Sequence, residues 1–273
     1  MEHKTGFVAA AIQLKPVLND FECNIATMER LFLQVTKENP DVELIVMPEL
    51  CTTGYECGRQ YQAMSEDLAE GPSIKRMSHL CKEQNTFLIY GFVERGTGDL
   101  IYDSAVIISD QGCVLGSYRK VHLFAEESKW FCPGDSYPIF QTRLGNVGIC
   151  ICYDISFPEP ARVYALEGAD FLVLPSNWEK PHVYEWELTT AARAYDNTLH
   201  LIAANRYGAE QHYDFFGQSR ILNPLGRVIK QCNQETEGYI TAVIDPNLTT
   251  LLRNDGYNFL RERKPQTYSR ICN

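Results

Sequence analysis

The sequence predicts an α/β protein in which two β-sheets lie between outer layers of helices, and three observations support this fold class. The chain has 273 residues, of which 45% are hydrophobic and 22% charged, a composition typical of a soluble globular protein with a large core. Strand-like and helix-like segments alternate over most of its length, as in β-α-β units. No linker-like, repeated or low-complexity segment interrupts the chain. We therefore expect one domain over residues 1–273.

The first half of the chain alternates between short apolar runs and amphipathic segments. Helical spacing of apolar residues over 20–36 predicts a helix between two buried strands, and Pro48 ends the second of these strands. Asp110-Gln111-Gly112 is a good hairpin turn between two β-rich runs. The predicted strands are 6–14, 42–47, 86–94, 102–109 and 113–120, and the predicted helices are 20–36 and 73–83.

The second half begins with an irregular loop over 126–138 and then resumes the alternation. Asn223-Pro224-Leu225-Gly226 predicts a tight turn within a final series of strands. The tail, residues 246–273, is polar and poorly periodic, and we expect it to pack on a partner subunit. The predicted strands are 147–152, 170–175, 198–204, 217–222, 226–231 and 238–244, and the predicted helices are 158–167 and 185–196.

The charge of the chain excludes two classes of partner. A formal net charge of −10 argues against nucleic acid and against an anionic membrane surface, because both require a basic face. No run reaches about 18 apolar residues, and the segment Met1–Gly6 has no apolar core of a secretion signal. We therefore predict a cytoplasmic protein without a membrane or nucleic-acid partner.

The ten cysteines do not form a metal-binding pattern, because no Cys-x-x-Cys pair occurs. Nine of them are interpreted as core or neutral surface residues, as expected for reduced thiols. Cys150 and Cys152 would share one face of a strand, but no histidine or second cysteine pair completes a metal site. The sequence therefore predicts neither a metal nor another cofactor.

Three residues whose side chains could take part in catalysis follow predicted apolar strands: Glu49, Lys120 and Cys152. Alone, each has an ordinary explanation, as a helix cap or surface carboxylate, a solvated lysine and a core thiol. Side chains at the carboxyl ends of strands in an α/β sheet converge on one edge, so together they predict a site. The first amides of the helix that follows Cys152 favour a thiolate.

These three residue types suffice to cleave an amide. A thiol that attacks an amide carbon needs a base for its proton, a positive group near the developing oxyanion and an acid for the leaving amine. Glutamate, lysine and cysteine supply these functions without histidine. A second acid nearby would assist proton transfer.

The segments Met47–Leu50, Tyr118–Phe124 and Gly148–Glu159 resemble those of the nitrilase superfamily, carbon–nitrogen hydrolases with a four-layer α-β-β-α sandwich. The resemblance extends over about residues 8–244. It implies that Glu49 is the base, Lys120 the oxyanion lysine and Cys152 the nucleophile. Further segments that match the superfamily are Gly54-Tyr55, Pro175–Trp178, Arg193–Asn197 and Ala204–Arg206.

The resemblance also implies a second catalytic glutamate in the loop Ala125–Lys129. Its spacing from Lys120 and from Pro133-Gly134 favours Glu127, while Glu126 stays open as the alternative. The sequence departs from the superfamily at Asp196, where a glutamate is usual.

The identity of the substrate depends on the residues around the nucleophile. Cys152-Tyr153-Asp154 is similar to amidase and carbamoylase branches, whereas branches that act on nitriles usually have Cys-Trp-Glu. Branches that bind a substrate carboxylate often have arginine where Ile155-Ser156 stand here. The resemblance thus favours a small neutral carboxamide, with N-carbamoyl compounds and ω-amides as alternatives and nitriles as a weaker one. A carboxylated substrate would need a basic residue elsewhere, such as Arg206.

Three aromatic residues, Tyr55, Tyr153 and Trp178, are candidate apolar walls of the substrate pocket. Ordinary alternatives stay open, since Trp178 could serve only for packing and Tyr55 only as a loop anchor. The resemblance also implies a homo-oligomer, a dimer or larger, that associates through helices near residues 159–167 and through the tail.

Two other classes of protein are compatible with parts of the sequence. A papain-like thiol hydrolase would pair Cys152 with His122 or His200. A binding protein that kept the fold without activity would be expected to lack one of Glu49, Lys120 and Cys152, but all three are present.

Overall fold

In a computed structural model of the protein, which describes residues 6–272, two six-stranded sheets pack against each other and helices cover their outer faces. A separate two-stranded ladder lies beside them. The strands are β1 (Phe7–Gln13), β2 (Val42–Val46), β3 (Phe87–Arg95), β4 (Ile101–Ile108), β5 (Val114–Arg119), β6 (Phe140–Thr142), β7 (Gly145–Ile149), β8 (Phe171–Ser176), β9 (His200–Asn205), β10 (Tyr207–Ala209), β11 (Asp214–Phe216), β12 (Arg220–Leu222), β13 (Val228–Gln231) and β14 (Gly238–Ile244). The helices are α1 (Phe21–Glu38), α2 (Tyr61–Met64), α3 (Pro72–Gln84), α4 (Pro158–Leu166), α5 (Val183–Asn197), α6 (Pro246–Asn254) and α7 (Phe259–Glu262).

The first sheet has the strand order β14-β1-β2-β3-β4-β5, and the second has the order β13-β12-β9-β8-β7-β6. Parallel pairs occupy the centre of each sheet, β1 with β2 and β3 in one and β7 with β8 and β9 in the other. Because β4 is antiparallel to both β3 and β5, strands β2, β3 and β5 all end at the same edge. This topology confirms the predicted α-β-β-α sandwich.

Alternation along the central strands divides the core into layers. In β1, Ala9 and Ala11 belong to the layer between the two sheets, whereas Ala10 and Ile12 belong to the layer beneath α1 and α3. Successive strand side chains point to opposite faces, so strands covered on both sides are apolar throughout. The central strands appear in the sequence as near-continuous apolar runs because both of their faces are covered.

Several short elements escaped the sequence prediction. The strands β6, β10 and β11 have three residues each, too few for a periodic pattern, and α2 has only four. The predicted strand 147–152 ends at Ile149, and Cys152 begins a 3-10 turn instead.

The tail is more regular than predicted, because it contains α6 and α7. Asp245 caps α6 by accepting a hydrogen bond from the Asn247 backbone N–H at 3.0 Å. Tyr195 of α5 packs on Phe259 of the same chain, with ring centroids 5.3 Å apart. Packing of the tail on a partner subunit stays a prediction.

Within residues 6–272, no helix is both long and apolar enough to span a bilayer. Residues 1–5, most of the segment used to argue against a secretion signal, lie outside the described residues. Nine cysteines are free thiols, of which Cys51, Cys57, Cys81, Cys150 and Cys152 are buried and Cys23 and Cys113 exposed. The Cys272 side chain also lies outside the described part.

Candidate active site

Glu49 lies just beyond the end of β2 on a segment that pairs with β3. The Gly91 backbone N–H donates to the Pro48 carbonyl at 3.0 Å, and the Cys51 N–H donates to the Gly91 carbonyl at 3.1 Å. A Cβ atom at Gly91 would lie 2.4 Å from the Glu49 Cα, so a glycine is required for this close approach. The Glu49 backbone is therefore fixed directly against the first sheet.

Lys120 follows β5 at the same edge, and its backbone is also held at both ends. Its N–H donates to the Asp103 carbonyl of β4 at 2.9 Å, and its carbonyl accepts from the Gly134 N–H at 2.8 Å. The Lys120 side chain is fully buried.

The Lys120 ammonium is surrounded by three buried carboxyl groups. Its Nζ lies 2.6 Å from Glu49 Oε1, 2.8 Å from Glu127 Oε1 and 3.3 Å from Asp103 Oδ2. Glu127 is held further by the Tyr55 hydroxyl, which donates to it at 2.7 Å, and by the Phe124 backbone N–H at 2.8 Å. We call Glu49, Asp103, Lys120 and Glu127 the lysine cluster.

The spacing of the three carboxyl groups would also suit a metal ion, because oxygens of Glu49, Asp103 and Glu127 lie within 4.8 Å of one another. The Lys120 ammonium is within hydrogen-bond or ion-pair distance of all three. It therefore supplies the positive charge that such a cluster needs.

Burial and crowding shift the protonation of the cluster. Burial raises the pKa of Asp103 well above its ordinary value, and Glu49 raises it further while Lys120 opposes the shift. Burial also raises the pKa of Glu127 against the opposing effect of Lys120. Burial alone lowers the pKa of Lys120, but Glu127, Glu49 and Asp103 together raise it well above its usual range. The three carboxyl groups therefore favour the ammonium form of Lys120, and the raised pKa of Asp103 favours its protonated form.

Cys152 begins the 3-10 turn Cys152–Ser156 that follows β7. Its φ of +43° lies in the left-handed region, which is unfavourable for a residue with a side chain. Leu50, next to Glu49, and Ala125, near Glu127, each have a φ of +44°. Unfavourable backbone conformations thus occur at the segments that carry Glu49, Glu127 and Cys152, as is common at functional sites.

The buried Asp154 carboxylate fixes this turn against the first sheet. Its Oδ2 accepts from the Ile151 N–H at 3.0 Å and from the Tyr118 hydroxyl at 2.7 Å. Its Oδ1 accepts from the His122 N–H at 3.0 Å and lies 2.9 Å from His122 Nδ1. Asp154 thereby joins the Cys152 turn to the segment that carries Lys120.

Neither histidine of the papain-like alternative is positioned as a partner of Cys152. The His122 ring is paired with Asp154 and stacks on Phe157, with centroids 4.0 Å apart. His200 is buried at the start of β9 and pairs with Phe171, at the opposite end of β8 from Ser176.

The Cys152 thiol is nearly buried, with 7% of the residue exposed. Burial raises its pKa well above the ordinary value, and Glu49 adds to this effect, while Lys120 and the Asn177 backbone N–H oppose it. The expectation that helix amides yield a resting thiolate is therefore wrong, because burial beside carboxylates outweighs them. A base is needed when the sulfur attacks.

Cys152 lines a cavity of about 330 Å³ together with Tyr153 and Trp178, two of the three predicted pocket residues. The other lining residues are Phe124, Ser156, Asn177, Glu179, His182 and Glu185. The third predicted residue, Tyr55, lines a second cavity of about 370 Å³ on the side of Glu127. We call the first of these the Cys152 cavity.

The two adjacent glutamates occupy different environments. Glu127 is 5% exposed and belongs to the lysine cluster. The Glu126 side chain is 65% exposed and pairs with Lys129. The geometry thus favours Glu127 over the alternative that the sequence left open.

Two buried polar residues of the site were not predicted. Asp103 lies in the apolar strand β4, where a lone acidic residue was an available signal. Asn177 follows β8, and its backbone N–H donates to Glu49 Oε2 at 2.6 Å. Its type alone gave no indication that the residue would line the Cys152 cavity. Arg206, considered as a carboxylate-binding residue, lines neither cavity, because it is fully buried and paired with Glu210.

A model of the carbon–nitrogen hydrolase family matches residues 8–254 of the chain. The chain belongs to the carbon–nitrogen hydrolase family. A probable nitrilase of Schizosaccharomyces pombe is 42% identical over 264 residues, which cover 96% of this chain and 97% of that protein. An omega-amidase of Xenopus tropicalis is 31% identical over 238 residues, 83% of this chain and 85% of that protein.

The fold of this carbon–nitrogen hydrolase is also found in solved structures. A carbon–nitrogen hydrolase from Helicobacter pylori superposes with a TM-score of 0.91 at 27% identity, over 99% of both chains. The predicted superfamily, fold and enzyme class are therefore confirmed.

Proposed function

We propose that this carbon–nitrogen hydrolase converts a small carboxamide into a carboxylate and ammonia, with Cys152 as the nucleophile. The observation that carries the proposal is that Cys152 lines a cavity which can hold a substrate and is also close enough to Glu49, Lys120 and Glu127 for their charges to act on its thiol. A base, a cation and a thiol thus meet at one place, as amide cleavage requires.

In the first step, Cys152 Sγ attacks the amide carbon and its proton passes to Glu49. The Glu49 carboxylate is oriented for this transfer, because Lys120 holds Oε1 and the Asn177 N–H holds Oε2. The carbonyl oxygen becomes negative, and the Lys120 ammonium and the Tyr153 backbone N–H stabilise it.

In the second step, the tetrahedral intermediate expels the amine, which takes a proton from Glu49 and leaves as ammonia. The product is a thioester between the acyl group and Cys152 Sγ. Water then attacks the thioester, Glu49 accepts a proton from that water, and the carboxylic acid is released while the thiol is restored. No cofactor takes part in this sequence.

Glu127 acts in this proposal as a positioning residue. It bonds to the Lys120 ammonium and is itself fixed by Tyr55 and by the Phe124 N–H. These contacts hold Lys120 Nζ in one place while negative charge develops on the substrate.

The alternative substrates differ in the carbon–nitrogen bond that is cleaved or in the group attached to it. An omega-amidase and a probable nitrilase are both among the relatives. The motif Cys152-Tyr153-Asp154 supports amide over nitrile, and Ile155-Ser156 lack the arginine expected for a carboxylated substrate.

The test is ammonia release by the purified protein from short aliphatic amides, an aromatic amide, an ω-amide of a dicarboxylate, an N-carbamoyl compound and a nitrile. We expect release from carboxamides, and a fall of at least about 10³-fold in Cys152→Ala with an unchanged melting temperature. A Cys152→Ala variant that retains full activity would contradict the nucleophile. If the wild type releases no ammonia from any of these compounds, the result would favour the binding-protein alternative.

We further propose that the chain forms one domain over 1–273 and assembles as a homo-oligomer in the cytoplasm. Exposed apolar side chains on α4 and α5 support assembly, notably Leu166, Tyr184 and Leu188. Light scattering coupled to size-exclusion chromatography tests it, and a monomer at micromolar concentration would contradict it.

A further inference from the structure

The Cys152 cavity has an unbalanced set of charges at its wall. Two carboxylates, Glu179 and Glu185, line it, and its remaining titratable groups besides Cys152 are Tyr153 and His182. Within residues 6–272, neither lysine nor arginine is among its lining residues. His182 Nδ1 lies 3.7 Å from Glu185 Oε1, so a histidine, and neither a lysine nor an arginine of the described residues, is the basic side chain that a ligand meets beside these carboxylates.

The basic side chains nearest in sequence are engaged elsewhere. Lys180, next to Glu179, pairs with Asp214 at 3.2 Å and with Glu235 at 2.8 Å. Arg193 of α5 donates to the Ser156 and Phe157 carbonyls and lies 3.5 Å from Asp196. Neither residue neutralises the two carboxylates of the cavity.

A second, independent feature indicates a polar ligand. Asn177 is 4% exposed and lines the Cys152 cavity, yet neither Oδ1 nor Nδ2 of its side chain has a hydrogen-bond partner in the described protein. An unpaired buried amide is unfavourable, so a ligand that donates to Oδ1 and accepts from Nδ2 would stabilise the site. A carboxamide group can do both.

We propose that the natural substrate is a carboxamide whose other end carries a positively charged amine, with Asn177 contacting the amide and Glu179 and Glu185 facing the amine. This inference rests on the proposed function and adds the substrate class to it. The apolar surface of Trp178 lies between Asn177 and Glu179 in sequence and suits a short aliphatic linker.

Electrostatics gives the direction of the preference. Each carboxylate attracts an ammonium and repels a carboxylate at the same position, and partial removal from water strengthens both effects. We expect a preference of about 1.5- to fivefold per carboxylate for a cationic over a neutral amide. An amide that ends in a carboxylate should be the poorest of the three.

The test compares three amides of matched length: 5-aminopentanamide, pentanamide and the monoamide of glutaric acid. We expect kcat/KM to fall in that order, and the advantage of the cationic amide to shrink in high salt. Glu179→Gln and Glu185→Gln should each reduce that advantage while leaving pentanamide hydrolysis within about twofold. Glu187→Gln is the matched control, because Glu187 lies on the same helix, faces Arg220 and does not line the cavity.

The outcomes separate the two proposals. If the wild type hydrolyses pentanamide or the glutaric monoamide with a kcat/KM equal to that for the cationic amide, the proposed substrate class is wrong while amide hydrolysis stands. A preference that survives both glutamine variants would also overturn the assignment to Glu179 and Glu185. If none of the three amides is hydrolysed, the proposed function fails and the inference fails with it.

Discussion

The two sides of Cys152 differ in how their charges are satisfied. On the side of the lysine cluster, carboxyl oxygens of Glu49, Asp103 and Glu127 lie 2.6 to 3.3 Å from Lys120 Nζ, and all these side chains are buried. On the side of the Cys152 cavity, neither a lysine nor an arginine of residues 6–272 lines the wall, where His182 lies 3.7 Å from Glu185, and the Asn177 side-chain amide has no hydrogen-bond partner among the described residues. The protein itself provides the polar contacts of the catalytic carboxyl groups. We infer that the substrate provides those of the polar groups that line the cavity.

This difference has consequences for stability. Buried charges lose hydration, so removing one partner from a buried group is strongly destabilising. Residues at a water-accessible cavity tolerate substitution much better. Removal of the Lys120 ammonium should therefore affect folding and activity together, while substitutions of Glu179 and Glu185 should affect specificity alone.

The largest effect is expected for Lys120→Met, which leaves three buried carboxyl groups without a cation. We expect loss of activity and a decrease of about 3–5 kcal/mol in the free energy of unfolding, measured with urea. The pKa values of Asp103 and Glu127 are already raised, so their contribution to stability is present at low pH and is lost as the pH rises through the folded-state values. Because Lys120 opposes both shifts, the variant should lose more stability than the wild type when the pH is raised from an acidic to a neutral value.

Lys75→Met is the control for this prediction. Lys75 pairs with Glu70 at the surface and 59% of its side chain is exposed. The Lys75→Met substitution should change the free energy of unfolding by less than about 0.5 kcal/mol. Equal stability of Lys120→Met and wild type at both pH values would show that the cluster does not depend on the ammonium.

An intermediate effect is expected for Gly91→Ala, which tests whether the fold positions Glu49. The added Cβ would lie 2.4 Å from the Glu49 Cα, so the backbone must shift. We expect a loss of about 1–3 kcal/mol of stability and a fall in kcat of about 10²-fold. Gly238→Ala is the control, because no atom of the described residues lies within 4 Å of its Cβ position. Wild-type kcat in Gly91→Ala would refute this tight coupling.

The smallest effect is expected for Asp103→Asn. Burial raises the pKa of Asp103 well above its ordinary value and so favours the protonated form, which an uncharged asparagine resembles. We expect kcat/KM within about threefold of wild type at pH 7, and higher stability than wild type at alkaline pH, where the native Asp103 would ionise. A tenfold loss of activity at pH 7 would mean that the charged form of Asp103 is needed.

Most of the fold could be predicted, because long strands covered on both faces produce apolar runs with clear ends. The α1 prediction of 20–36 lies close to Phe21–Glu38 for the same reason, since five apolar residues repeat at helical spacing. Short edge elements such as β6 carry too few residues for any period. The α6 helix was missed although Asp245 and Pro246 form a good start signal, because its apolar residues are few.

The residues of the lysine cluster that follow strands were predictable from topology, since the carboxyl ends of β2 and β5 meet at one edge. Asp103 was missed because it lies inside a strand, where only three-dimensional packing turns a carboxyl group towards Lys120. The protonation of Cys152 was predicted in the wrong direction, because the sequence indicates the helix amides but not the depth of burial. The charge of the Cys152 cavity could not be predicted either, because it depends on which side chains face the cavity.

The central claim is that Cys152 forms a thioester with the acyl part of a carboxamide. Intact-protein and peptide mass spectrometry of the enzyme quenched in acid during turnover tests it most directly. We predict that the peptide with Cys152 gains the mass of the amide minus ammonia, and that hydroxylamine removes this mass and yields a hydroxamate. Turnover of the amide with unmodified Cys152, or the same adduct in Cys152→Ala, would contradict the account.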